Sequence, residues 1–214
     1  MRFTLVYDGP LPAQSAGNSR VPEKHALRVQ FQSQLADLWE THPALRRHFK
    51  VWKDWADSHP LQEFPQQGLC DPSSGPANSA SPIVPIKFCK VGKYHFISLV
   101  SDHTAMTCEL EILFLRKEEK GYLVNQAGDL DNRIKVLFDA LRVPLTEKEI
   151  PPDATLPDPF FCLLEDDRLI TRVSVVSERL LEGTAPTSRN HVRLVVNVST
   201  RAEERTWLNM GLAD

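Results

Sequence analysis

The first half of the chain carries two stripes of apolar residues at helical spacing. One stripe predicts a helix over residues 23–41, and the other predicts a helix over residues 44–56. His42-Pro43 separates the two stripes, and proline is favoured in the first turn of a new helix. We therefore expect an N-terminal helical hairpin. The first stripe consists of Leu27, Phe31, Leu35 and Leu38 with Trp39 beside it, and the second of Leu45, Phe49, Trp52 and Ala56.

Sequence patterns typical of strands precede and follow a third stripe of apolar residues at helical spacing. That stripe predicts a helix over residues 130–142 and consists of Leu130, Ile134, Leu137, Phe138 and Leu141. Runs rich in β-branched residues, several of them alternating between apolar and polar, predict strands at residues 2–7, 83–91, 94–100, 107–116, 168–176 and 191–199. A short helix is expected at residues 201–208. This order of elements predicts an α+β fold in which a mixed sheet is backed by helices.

Hydrophobic periodicity disappears between residues 57 and 85, where prolines, glycines and serines accumulate. We interpret residues 57–85 as a flexible Pro/Ser-rich insert. With 214 residues, of which 42% are apolar, the chain is long enough to bury a sizeable core. We therefore expect residues 1–214 to form a single domain that carries this insert and the helical hairpin as additions.

The overall charge is nearly balanced, with 25 basic and 28 acidic residues and a net charge of −3. Neutralisation of phosphates supplies most non-specific affinity for nucleic acid, so a general coat protein would be strongly basic. Any contact with nucleic acid therefore needs a local basic face or structure-selective contacts. The best candidate is the outer side of the second helix, although a solvated helix face explains the same residues, which are Arg46, Arg47, Lys50 and Lys53.

Cysteine and histidine spacing gives no sign of a zinc or redox site. The four cysteines lack any Cys-x-x-Cys spacing, and the seven histidines are scattered. No apolar run reaches 18 residues, and the N-terminus lacks the pattern of an export signal. We expect neither export nor insertion into a membrane.

An acidic motif marks the start of the third helix. Asp129 falls at the N-cap position and Asp131 in the first turn, where unpaired amides and the helix dipole favour carboxylates. Lys135 follows Asp131 by four residues, and such a pair stabilises a helix by roughly 0.2–0.5 kcal/mol. These residues therefore have a structural explanation as well as a chemical one.

A second acidic stretch, Glu165-Asp166-Asp167, precedes a predicted strand. Three consecutive acids repel one another unless water, cations or a metal offset their charge. Magnesium takes one or two carboxylates together with waters and substrate phosphate, so aspartates from two separate elements suit it. The alternative is a solvated acidic turn.

The content and order of the two stretches resemble the RusA-type Holliday-junction resolvases. The signature of that family is Asp-x-Asp-Asn at a helix start, a lysine four residues after the second aspartate, then Asp-Ala-Leu, and later an Asp-Asp pair before a strand. The matching residues here are Asp129, Asp131, Asn132, Lys135, Asp139, Ala140, Leu141, Asp166 and Asp167.

The resemblance implies roles for individual residues. Asp129, Asp131 and Asp167 would be catalytic carboxylates that bind Mg²⁺, and Lys135 would act at the scissile phosphate. We add Asp166 to the metal-binding candidates, either as a direct ligand or as a residue that supports the ligands. Family members also begin with a strand and a Pro-containing loop, so we add Arg20 in that loop to the DNA-binding candidates. Arg133 of the motif helix and the basic residues of the second helix, Arg46, Arg47 and Lys50, complete that set.

The resemblance also implies a function. We expect a RusA-like fold and a magnesium-dependent, structure-selective endodeoxyribonuclease that resolves four-way DNA junctions in recombination and repair. The implied partner is branched DNA, and the implied assembly is a homodimer whose two sites would cut paired strands. The implied setting is the cytoplasm of a bacterium, with the gene either bacterial or derived from a prophage.

Two alternatives stay open. One is a non-catalytic module of RusA-like fold that binds nucleic acid or serves assembly. The negative net charge favours it, as does the absence of basic residues from positions 124–128, just before the first motif aspartate. The other is a metal-dependent nuclease acting on flaps, single strands or RNA, because phosphate chemistry is shared and selectivity lies in surface shape.

Overall fold

The fold was analysed in a computed structural model of the chain, which describes residues 1–14, 20–58, 86–116, 129–181 and 190–213. Within these ranges the side chains of residues 55, 56, 58 and 129 are not described. The predicted insert at residues 57–85 lies outside the described residues, apart from positions 57 and 58, which belong to a helix. Residues 83–85 of a predicted strand and residues 124–128 before the acidic motif also lie outside them.

The described ranges contain three α-helices and seven strands, which confirms the α+β class. The helices are α1 (Val21–Thr41), α2 (Pro43–Ser58) and α3 (Asp129–Leu141). The strands are β1 (Arg2–Pro10), β2 (Phe88–Val91), β3 (Tyr94–Val100), β4 (Met106–Arg116), β5 (Phe160–Leu164), β6 (Ile170–Arg179) and β7 (His191–Ala202). None of the described helices combines the length and apolar character needed to cross a bilayer.

The helical hairpin forms as predicted, with α2 beginning at Pro43 directly after the break. Leu27, Phe31 and Leu35 are buried along α1, and Trp39 continues this buried stripe while Leu38 is only partly buried. Trp52 of α2 stacks on Phe88 of β2 with ring centroids 4.8 Å apart. The hairpin is therefore fixed to the body of the protein through aromatic contacts.

The strands divide between two mixed sheets, whereas the sequence pattern predicted one. The larger sheet has the order β1-β7-β4-β6, and the smaller has the order β2-β3-β5. The sequence analysis missed β5, since its five residues are all buried and show no alternation, in a region rich in proline. β3 pairs parallel with β5, and uninterrupted apolar runs are typical of such doubly buried parallel strands.

The predicted helix at residues 201–208 is wrong. β7 continues to Ala202 because Arg201 and Ala202 pair with Thr107 and Met106 of β4, and turns follow. A second correction concerns the strand predicted from residue 168. Asp167–Leu169 forms a 3₁₀ turn, and β6 begins at Ile170.

The main core lies between the helices and the two sheets. It includes Leu27 of α1, Leu137 of α3, Leu110 of β4 and Leu163 of β5, each fully or almost fully buried. One face of the larger sheet packs into this core. The ends of β3, β5 and α3 are buried in it, and polar residues follow each of them, with exposure beginning at Asp102 and Asp167.

Candidate functional site

Acidic residues lie at the carboxyl ends of the two parallel strands β3 and β5. Val100 pairs with Leu164 at the end of this ladder, and the chain continues into Ser101-Asp102 after β3 and into Glu165-Asp166 after β5. Side chains that follow parallel strands gather at one edge of a sheet, where binding sites commonly form in α/β proteins. Asp102 and Glu165 are thereby brought together although 63 positions separate them, and the Asp102 amide donates to Glu165 Oε2 over 3.3 Å.

The innermost of these acids is compensated by a lysine. Glu165 is only 4% exposed, and its other oxygen, Oε1, pairs with the Lys87 ammonium. A buried carboxylate normally needs such a partner, because burial disfavours its charged form. Glu165 is thus a structural element of the site.

Asp166 and Asp167 form the next layer towards solvent. Asp166 caps the 3₁₀ turn, since its Oδ1 accepts a hydrogen bond of 2.9 Å from the Arg168 amide. The Arg168 guanidinium binds the Asp102 carboxylate and lies 3.9 Å from Asp166 Oδ1. The turn is therefore tied to both strand ends, and Asp167 projects from it as an exposed residue.

The electrostatic environment of Asp167 disfavours its charge. Partial desolvation raises the pKa of this carboxyl above 3.8, and the neighbouring Asp166 raises it further. Arg142 acts in the opposite direction without cancelling the effect. Burial therefore disfavours the charge of Asp167 first, and the neighbouring carboxyl of Asp166 adds to this effect.

The motif residue Asp139 belongs to an ion-pair network at the end of α3. Its carboxylate accepts from Lys24 over 2.6 Å and from Arg142 over 2.9 Å, and Arg142 also pairs with Glu149. Arg28, 2% exposed, donates to the Asp139 carbonyl over 2.8 Å. This network connects α1, the end of α3 and the turn at Glu147–Glu149.

Burial and charge act together on Arg142 in this network. Desolvation works to lower the pKa of Arg142, but Glu149 and Asp139 outweigh it and raise the pKa above its ordinary value. Asp139 and Arg142 also act electrostatically on Asp167. The end of α3 is therefore part of the surroundings of Asp167.

The first turns of α3 carry the other motif residues. Lys135 Nζ lies 2.8 Å from Asp131 Oδ2, and both side chains are mostly exposed, at 59% and 68%. This is the helix pair that the spacing predicted. Asp129 is the first residue of the helix, and its side chain is not among those described.

The structure brings together only part of the predicted metal site. Asp166 and Asp167 lie beside Asp139, whereas Asp131 is eight residues earlier in α3, about 12 Å along the helix axis. Among the side chains that the structure describes, no group of three Asp, Glu, His or Cys residues is placed to hold a metal ion. The Asp131–Lys135 pair and the Asp166–Asp167 pair are thus separate features of one helix and the adjoining turn.

The DNA-binding candidates fall into two groups. Arg133 is 5% exposed, and its guanidinium binds the Leu11 carbonyl and, over 3.2 Å, the Asn190 side chain. Arg133 is therefore too buried to make the contact with DNA that we expected of it. Arg20 is partly exposed and donates to the Ala13 carbonyl and to Glu23, both at 3.2 Å.

The basic residues of α2 are on the surface as predicted. All four side chains of this basic stripe are exposed, and within the described residues no ion pair engages them; they are Arg46, Arg47, Lys50 and Lys53. Arg47 lowers the pKa of the neighbouring His48, after the larger effect of burial. The stripe is therefore a positive surface open to solvent.

A groove of about 470 Å³ lies between β1 and α1. Residues of β1 and α1 line it, including Leu5, Gln34 and Asp37, and none of the predicted site residues does. Gln34 also hydrogen-bonds the amide and the carbonyl of Val6, each over 2.8 Å, at the edge of the larger sheet. The groove is therefore a separate feature from the acidic cluster.

The sequence analysis missed Asp102, Lys87 and Arg142 as members of this region. Asp102 follows the apolar run of β3 by two positions, and Glu165 follows the apolar run of β5 directly. Two such runs, each ending in an acid, are a signal for parallel strands with polar residues at their carboxyl ends. Lys87 and Arg142 gave no such signal, because only the folded chain brings them to their partners.

The chain was compared with known proteins in three ways. Neither the models of protein families, nor the curated proteins, nor the solved structures gave a match.

Proposed function

We propose that this protein is a magnesium-dependent endonuclease that cuts four-way DNA junctions, a divergent resolvase of the RusA type acting in recombination and repair in the bacterial cytoplasm. The observation that carries the proposal is the adjacent pair Asp166 and Asp167 on a hydrogen-bonded turn at the carboxyl ends of two parallel strands. Asp166 and Asp167 lie on a turn fixed to two parallel strand ends, next to the helix that bears Asp131 and Lys135. Acids held together against their own repulsion are typical of sites that receive a cation.

The available donors fit magnesium. They are carboxylate oxygens, and a site made from one or two of them leaves room for water and phosphate. Asp166 and Asp167 would hold the ion, and the resemblance would add Asp129 and Asp131 from the start of α3, where Asp131 lies apart from that pair in this structure. Bound there, magnesium supplies a Lewis acid for the phosphoryl oxygen and lowers the pKa of water.

The surrounding residues orient this site and supply charge. Asp166 fixes the turn that carries Asp167 through its bond to the Arg168 amide. Lys135 is exposed on α3, and release from Asp131 would free its ammonium to stabilise charge on the phosphate or leaving group. The basic stripe of α2 would contact the phosphate backbone away from the cut, with Arg20 at the start of α1.

The outer face of the larger sheet supports the proposed homodimer. Val6, Val195, Leu113 and Val176 pair in register, so they form an aliphatic row across all four strands. Val6 is 45% exposed and Val176 51% exposed. A two-fold axis along this row would place each side chain against its own copy, with the two flanking rows, which are polar except for Leu115, as a rim.

Cleavage of end-labelled DNA tests the proposed activity. The substrates are a four-way junction, a linear duplex, a flap and a single strand, each with and without magnesium. The native chain is compared with Asp131→Asn and with Asp153→Asn, which alters an exposed acid in a loop. We expect paired, magnesium-dependent cuts in the junction that Asp131→Asn abolishes and Asp153→Asn retains.

Other outcomes of this assay contradict the proposal. Cutting confined to flaps or single strands would make the protein a nuclease of another substrate class. Full activity in Asp131→Asn would remove this residue from the site.

A second candidate function is a non-catalytic module that binds nucleic acid. The observation that favours it is the ion pair between Asp131 and Lys135. A pair at this spacing forms on helices that have no catalytic role, because it stabilises the helix itself. Binding of junction DNA with no cutting of any substrate would support this candidate. Magnesium titration by calorimetry provides a second criterion, because a structural cluster should bind no magnesium specifically.

A further inference from the structure

Trp207 is a tryptophan exposed on a tightly anchored turn. Its side chain is 84% exposed, whereas Trp39 and Trp52 are 3% and 8% exposed. A tryptophan carries a large flat apolar surface and usually gains stability by burying it. Trp207 therefore lacks the stabilisation that the fold gains by burying Trp39 and Trp52.

Hydrogen bonds hold the turn in place. Asn209 is 4% exposed, and its side-chain amide donates to the Thr104 carbonyl over 2.8 Å and to the Glu204 carbonyl. Its Oδ1 accepts from the Thr206 amide over 2.9 Å, on the residue just before Trp207. Leu212 is buried and its carbonyl accepts from Thr200 Oγ1. Trp207 is thus presented by an ordered backbone.

The anchor of this turn is next to the acidic cluster. Thr104 belongs to the 3₁₀ turn Asp102–Thr104, and the Glu203 amide donates to the Ala105 carbonyl over 2.9 Å. Asp102 at the other end of that turn binds Arg168, in the same 3₁₀ turn as Asp167. Two hydrogen-bonded turns therefore connect the backbone that bears Trp207 with the backbone that bears Asp167.

We propose that Trp207 is a stacking platform for a DNA base left unpaired or unstacked at the branch point, a role that rests on the proposed function. Aromatic side chains on ordered backbone accept bases without regard to sequence, since every base has a π-face. Glu204 and Arg205 are exposed just before Trp207 in the chain, and Met210 is an exposed apolar residue of the same turn. A protein interface would need a wider apolar core, so this surface favours a single flat base.

Such a contact would contribute selectivity for structure. Bases inside a linear duplex are stacked on both sides, whereas bases at a branch point lose a neighbour. A stacking residue on backbone hydrogen-bonded to the Asp102–Thr104 turn would therefore favour branched DNA and bring the branch towards the turn that bears Asp167.

Binding measurements test this role. Fluorescence anisotropy with labelled DNA in EDTA compares the native chain with Trp207→Ala, Trp207→Phe and the control Met210→Ala on the same turn. Stacking contributes about 1–3 kcal/mol per base, so Trp207→Ala should weaken junction binding about 5- to 150-fold. Duplex binding should stay unchanged in all variants, and Trp207→Phe should keep most of the affinity of the native chain.

A fluorescent base reports the contact directly. 2-Aminopurine placed at the branch point should lose emission on binding the native chain and keep it on binding Trp207→Ala. Equal junction affinity of the native chain and Trp207→Ala, with junction cutting intact, would overturn the role of Trp207 alone. Failure of the native chain to bind or cut any branched DNA would overturn the proposed function as well. Loss of self-association in Trp207→Ala would assign the ring to a protein interface and overturn the stacking role.

Discussion

At the scale of single residues, neighbouring members of one motif have different surroundings. Asp139 is engaged by Lys24, Arg28 and Arg142, whereas Asp131 faces solvent with Lys135 as its partner. At Asp167 burial and Asp166 outweigh the effect of Arg142, so the pKa of this carboxyl is raised. The sequence located all of these acids, but it could not distinguish a neutralised acid from an uncompensated one, since the partners come from distant segments.

The raised pKa of Asp167 makes a prediction about stability and pH. Above the raised pKa the folded state holds a carboxylate that its surroundings disfavour, and this cost disappears as the pH falls below the ordinary value of 3.8. Asp167→Asn removes the charge, so it should raise the unfolding midpoint at neutral pH in the absence of divalent cations. The gain should be small, because the exposed side chain is screened by water. Chemical denaturation at pH 7 and pH 3 measures it.

The matched control for this prediction is Asp153→Asn, which should show no such dependence on pH. A lower stability of Asp167→Asn than of the native chain at neutral pH would contradict the uncompensated charge at Asp167. Added magnesium should stabilise the native chain and leave Asp167→Asn unchanged.

At the scale of elements, the periodic patterns mainly predicted helices and strands that bury one face and expose the other. α1, α2 and α3 follow their apolar stripes, and β3 and β4 were located to within one residue. β5 escaped because a strand buried on both faces has no alternation. The end of β7 was misread as a helix because pairing with β4 extends the strand, and such long-range pairing leaves no local pattern.

The network at the end of α3 makes a prediction about stability. Removing one partner of a buried ion pair leaves the other charges uncompensated, at a cost of about 3 kcal/mol at the lower end of the usual range. We expect this loss for Asp139→Asn, because Lys24 and Arg142 are both largely buried around it. Asp131→Asn in the same helix should cost only about 0.5 kcal/mol, since its pair is exposed.

Urea denaturation of the two variants provides the comparison. Equal losses for Asp139→Asn and Asp131→Asn would show that the network does not hold α1 and α3 together.

At the scale of the whole molecule, the larger sheet has one face in the core and one face outside. The row formed by Val6, Val195, Leu113 and Val176 exists only in the folded sheet, since its members come from four strands. The sequence therefore suggested a dimer through resemblance alone and offered no surface for it. The register of the strands supplies that surface.

Val176→Lys tests the proposed dimer. A lysine in the aliphatic row would place two like charges close to one another across the two-fold axis, so the mass should fall from twice the chain mass towards 24.2 kDa. The matched control is Val51→Lys on α2, because Val51 is also 51% exposed. Light scattering after size-exclusion chromatography measures both. A native chain that is already monomeric at high concentration would contradict the dimer.

The measurement that tests the central claim most directly is a double-mutant cycle on junction cleavage. Single-turnover rates are compared for the native chain, Asp131→Asn, Asp167→Asn and the double variant, all with magnesium. If the two aspartates serve one metal, each single variant should lose most of the rate, and the double variant should be no slower than either. Losses that multiply, or a full rate in either single variant, would show that Asp131 and Asp167 do not form one catalytic site.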